Sequence, residues 1–221
     1  MRRGANATIW SALILLAAIV VVFVGIRLAI DVPNVTSGTV PDESSFEYRY
    51  ARFPWLAYAH ILPGAVYLLI APFQLWRGFR NRHFTAHRRM GRVALVAGLV
   101  SGVFAIAFGA FQAFGGPLEA SAAVAFGAWF LLSLGTAYRA IRRRDVRTHR
   151  RWMIRAFAVG VAVGTIRIWI GLFEAFGIMS FRDAFGVAFW LSFVMHAVAA
   201  ELYLRWRPLA SGADASQAAT T

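Results

Sequence analysis

Long apolar stretches alternate with short, basic ones along nearly the whole chain, and this alternation fixes the class before any motif is read. Six stretches, at about 8–30, 54–76, 93–114, 120–141, 153–176 and 183–204, each run to about 20 residues. A helix of that length crosses a hydrocarbon core about 30 Å thick. The expected fold is therefore all-α, an integral membrane bundle of six transmembrane helices forming a single domain over residues 1–207. Residues 208–221, "SGADASQAATT" and its flank, are expected to be a disordered tail. The one long connection, residues 31–53, holds two prolines, a glycine and several Ser and Thr, a composition that argues against continuous regular structure.

Within the spans, polar and small residues recur at helical spacing. His60, Gly64, Tyr67, Ala71 and Gln74 share one side of the second span. Gly98, Gly102, Ala105, Gly109 and Gln112 do so on the third, and Gly160, Gly164, Arg167, Gly171 and Glu174 on the fifth. Aligned small residues let helix backbones approach closely in a membrane, or leave a flat slot for a planar cofactor or substrate. Arg167 belongs to the second kind of argument, because an arginine inside the bilayer costs at least about 2.5–3.5 kcal/mol and is a functional candidate. At about 1.5 Å per residue it lies roughly 13 Å from its span's outer end and His60 roughly 9 Å from its own, so the two can share one site. Glu174 is the alternative partner for Arg167. His196, roughly 20 Å deep by the same count, does not match His60.

Charge adds orientation. The chain has 221 residues, 59% of them hydrophobic, a mean hydropathy of +0.60 and a net charge of +13, every basic residue being Arg. A nucleic-acid binder would not gather its apolar residues into long runs, so the charge is read as topological. With the N-terminus inside, 17 of the 23 arginines fall on inner segments, which places both termini in the cytoplasm of a bacterial inner membrane. The basic inner face is expected to meet anionic headgroups of the membrane lipids. The first span is longer than the core of a secretory signal and lacks a clear cleavage site, so a retained anchor is expected. Cysteine is absent, which removes disulfides and thiolate sites, and the sequence carries no hydrolase or phosphate-loop motif.

Two basic thresholds remain: "AHRRMGRVAL" at 86–95 and "THRRWMIRAF" at 148–157. Topology explains their arginines but not the repeated histidines, His87 and His149, which stand level at the entrances of two glycine-faced helices. His83 lacks this context and reads as surface. The stretch "HILPGAVYLLIAPFQLWRGFRNRHFTAHRRMGR", followed by "RRRDVRTHRRWMIRAFAVGVAVGTIR", resembles a family of bacterial membrane proteins of unknown function. The resemblance rests on His60, Gln74, His87 with Arg88, Gly91 and Arg92, His149 with Arg150, Trp152, Met153 and Arg155, and Arg167. It implies a membrane protein and brings no activity with it.

The first functional expectation is a membrane electron carrier holding b-type haem, with His60, His87, His149 and His196 as candidate iron ligands and Arg92, Arg155 and Arg167 for the propionates. A quinone would be its redox partner. The alternative is a transporter or lipid-handling protein with a polar site built from His60, Arg167 and Glu174, or a non-catalytic membrane subunit.

Overall fold

The computed structural model describes residues 2–206; the tail expected at 208–221 lies outside the described residues. Among the described residues eight helices follow one another: α1 (Arg2–Ser37), α2 (Tyr48–Arg52), α3 (Pro54–Leu75), α4 (Arg77–Arg82), α5 (Phe84–Phe111), α6 (Pro117–Arg142), α7 (Val146–Ala175) and α8 (Phe181–Trp206). Six of these, α1, α3, α5, α6, α7 and α8, are long and apolar enough to span a membrane. They alternate in direction, so one end of the bundle collects the arginine-rich turns and the other the 38–47 segment. Large apolar side chains such as Ile14, Leu69, Val96, Leu132 and Val198 are exposed along the spans, as a lipid-facing surface requires.

The centre of the bundle is α7, which packs on α1, α3, α6 and α8 and has 56% of its central residues buried, against at most 28% in the other spans. Its close contact with α1 depends on Gly164. A Cβ there would lie 2.7 Å from the Leu16 carbonyl oxygen, a backbone atom that cannot swing aside. Gly164→Val is expected to cost about 1–3 kcal/mol by overpacking, measurable as a lower melting temperature in detergent.

Helix ends depart from the expected spans for local reasons. The expected outer loop at 31–53 shrinks to 38–47, because α1 continues through Pro33 to Ser37 and α2 orders residues 48–52. Asp31 pairs with Arg27 one turn earlier, and the Thr36 and Ser37 hydroxyls donate to the Val32 and Pro33 carbonyls at 2.9 and 2.8 Å, which holds the last turn together. Gly38 then ends the helix in the left-handed region at φ +70°, where glycine carries no steric penalty. At the opposite end α5 and α7 begin well before their apolar runs, at Phe84 and Val146. Hydrophobicity marks the membrane, whereas arginine is a good helix former and lets the helix run on beyond it. Asp145 caps α7 by accepting from the Thr148 amide at 2.9 Å, and these Thr148 hydrogen bonds hold its carboxyl below the usual carboxylate range. His87 and His149 thus both sit in the first turns of their helices, where a cation opposes the helix dipole.

Candidate functional site

The six spans enclose a cavity of about 210 Å³ in the half of the bundle nearest the 38–47 segment. Small residues make the room: Gly64 from α3, Gly102, Ala105 and Gly109 from α5, Gly127 from α6 and Gly160 from α7 all line it. Phe108, Phe130, Phe185, Phe189 and Phe193 supply most of the remaining wall. The expected glycine faces therefore divide. Part of each opens onto the cavity, while Gly98 packs against Tyr67 and Leu134, and Gly164 against α1. Gly171 and Glu174 lie further along α7 and are exposed.

Polar groups converge on this apolar slot. His60, on the second turn of α3, places Nδ1 3.0 Å from the Ser101 carbonyl oxygen and 3.0 Å from its hydroxyl. A carbonyl only accepts, so Nδ1 carries the proton. The Ser101 hydroxyl donates in turn to the His60 carbonyl at 2.9 Å. This leaves Nε2 with a free lone pair and no hydrogen bond among the described residues. Arg167 lines the same cavity and is near enough to His60 for their charges to interact, so the structure brings the two together as their depths implied. Arg167 makes no salt bridge or hydrogen bond among the described residues; its guanidinium lies 5.1 Å from the centre of the Phe23 ring. The alternative pairing with Glu174 does not form.

Two further charged residues, Arg49 and Glu119, complete the site. Arg49, on α2, donates from Nη1 to the Gln112 carbonyl at 3.0 Å, and its buried Nε has no hydrogen-bond partner among the described residues. The guanidinium lies over the rings of Phe46, at 4.4 Å, and Phe114, at 4.9 Å. Burial pushes its pKa below the ordinary guanidinium value, opposed by Tyr50 and Glu119. Glu119, in the first turn of α6, is 6% exposed and accepts from the Gly115 amide at 2.6 Å. Arg27 also reaches the cavity, but its charge is matched by Asp31, which accepts in addition from the Tyr58 hydroxyl at 2.7 Å. With that pair set aside, the walls present two guanidiniums and one carboxylate, an excess of one positive charge.

Sequence reasoning missed Arg49, Glu119 and Ser101. The two charges lie just outside the apolar runs and look like loop residues, and a serine inside a span gives no signal of its own. The Arg27–Asp31 pair was missed as well, although its i, i+4 spacing is a signal in the sequence.

The other expected site residues lie elsewhere. His196 is hydrogen-bonded through Nε2 to the Thr165 hydroxyl at 2.8 Å. Arg155 forms a two-armed salt bridge with Glu201, at 2.6 and 3.0 Å, and stacks on Trp152. Arg92 is exposed. His87 and His149 are at the arginine-rich end, remote from the cavity but near enough to each other to interact electrostatically. Among the described residues no group of three or more His, Asp or Glu is placed to hold a metal ion.

Six apolar spans around a polar, partly charged cavity define a polytopic helical membrane protein with an intramembrane site. The chain belongs to the family described as "Predicted membrane protein (DUF2306)", whose model matches residues 57–204 and so takes in five of the six spans. No curated protein and no solved structure matches it.

Proposed function

We propose that this protein binds a small organic anion in its central cavity, as a transporter of such anions does. The observation that carries this reading is Arg167, an intramembrane guanidinium that faces the cavity without a salt bridge or hydrogen bond among the described residues, Glu119 being shared between it and Arg49. A buried charge without a partner costs several kcal/mol, and a bound anion supplies the missing one. Arg49 adds a second donor, Glu119 offsets one positive charge, and the balance matches a single negative charge on the ligand. The phenylalanine and glycine walls suit an apolar body. An apolar cavity of about 150 Å³ accommodates benzene, so 210 Å³ suits one ring or a short chain carrying a carboxylate. The excess of arginine at one end supports an orientation with that end in the cytoplasm of a bacterial inner membrane and the cavity towards the outer face.

Benzoate, benzyl alcohol and benzylamine are matched probes that differ in charge. Titrated calorimetrically into the protein in phosphatidylcholine nanodiscs, benzoate is expected to bind at least tenfold more tightly than the other two. Equal affinities for all three would refute the anion site.

One feature favours the haem reading: His60, with Nδ1 anchored on Ser101, presents Nε2 as axial histidines do. The rest fits poorly. His60 is the one histidine lining the cavity, and 210 Å³ is far too small for the macrocycle without displacing walls. A quinone has no charge to balance Arg49 and Arg167. A dithionite-reduced minus oxidised spectrum of protein expressed with ample haem is expected to show no Soret change; a band lost on His60→Ala would overturn this.

A further inference from the structure

A second group of cations lies at the opposite end of the bundle, on α4 and the first turns of α5 and α7, and is separate from the cavity. Arg80 of α4 and Arg150 of α7 are both half-buried and near enough for their charges to oppose one another. Burial first, and then Arg150 and Arg77, lower the pKa of Arg80. His87, on the first turn of α5, interacts with both Arg80 and His149. Its Nδ1 is buried without a hydrogen-bond partner among the described residues, as is Nε2 of Gln74 at the end of α3. Gln74 packs beside Gly91, one turn along α5 from His87. His149 is fixed by donating from Nδ1 to the Ala137 carbonyl at 2.9 Å, which leaves Nε2 free.

The carboxylates at this end are committed elsewhere. Asp145 is exposed and caps α7, and Glu201 pairs with Arg155. The exposed arginines here, such as Arg143, need only water and topology to explain them. Arg80 and Arg150 are different, because like charges held together with reduced access to water raise the energy of the fold unless an anion joins them.

We propose that Arg80, His87, His149 and Arg150 hold a phosphate-type anion at the arginine-rich end. A tetrahedral group with several acceptor oxygens satisfies donors arriving from three helices, which a carboxylate with two oxygens does less completely. The phosphate is carried by a membrane lipid headgroup or by a soluble phosphate compound; the recognising chemistry is the same.

The test measures binding of dioleoyl phosphatidic acid to the detergent-purified full chain by native mass spectrometry, with and without inorganic phosphate as competitor. The parent is expected to bind one lipid tightly, and Arg80→Gln combined with Arg150→Gln to lose at least tenfold in affinity. His87→Gln, a milder change that secures the result if the double variant does not fold, is expected to lose several-fold. Arg143→Gln serves as the surface-charge control and is expected to stay within twofold. Competition by inorganic phosphate identifies a soluble ligand, and its absence a lipid headgroup; both outcomes support the site. Failure of the parent to bind either probe would overturn it, as would an Arg143→Gln loss equal to that of the double variant or wild-type affinity in His87→Gln and the double variant alike.

Discussion

Replacing Arg167 by Leu is expected to weaken benzoate binding by about 100-fold, or about 2.8 kcal/mol, while leaving the fold at least as stable as the parent. The two effects have one cause. Arg167 makes no salt bridge among the described residues and shares the charge of Glu119 with Arg49, so removing it relieves a desolvated charge that is only partly balanced. The ligand, in contrast, loses its principal charge-assisted hydrogen bonds. Arg167→Lys keeps the charge but not the planar fork, and a loss of about tenfold is expected. Calorimetric titration beside a thermal melt in the same nanodiscs checks both halves. A large drop in stability would show that Arg167 has a structural partner and would remove the reason for assigning it to a ligand.

Asp31→Ala is expected to do the opposite, destabilising the protein by about 3–5 kcal/mol. Asp31 is 1% exposed and Arg27 is 8% exposed, and each is the other's main counter-charge. Truncating the acid strands a buried guanidinium and deprives the Tyr58 hydroxyl of its 2.7 Å acceptor. Glu47 also pairs with Arg27, at 3.5 Å, but it is more exposed and offsets only part of the loss. Removing both charges, as Arg27→Leu with Asp31→Leu, is expected to recover most of the loss, because a buried pair contributes little net once its desolvation is counted. Unfolding titrations of the two single variants and the double variant complete the cycle. Additive effects of the two substitutions would show that the residues do not act as a pair.

The contrast between the two arginines shows what the sequence made legible. Span number and length followed from hydropathy, since a bilayer imposes both. Helix ends did not, because α1, α5 and α7 continue through polar turns outside the apolar runs, and Asp31 and Asp145 stabilise those of α1 and α7 by local hydrogen bonds and charge. His60 and Arg167 were found together because a helix converts residue number into depth at a fixed rise. The same ruler correctly kept His196 apart. It was blind to Arg49, which reaches the cavity from a five-residue helix lying across the end of the bundle, and to Glu119, which a two-glycine turn brings inward. Arg155, grouped with the cofactor residues in the sequence, finds Glu201 on α8, 46 positions away, a pairing that no local pattern encodes.

The most direct measurement is a structure of the protein determined with 4-bromobenzoate, whose bromine gives an anomalous signal. The expected peak lies within the glycine- and phenylalanine-lined cavity, with the carboxylate density between Arg49 and Arg167. A bromine peak confined to the lipid-facing surface or the arginine-rich end, with none in the cavity, would contradict the anion site.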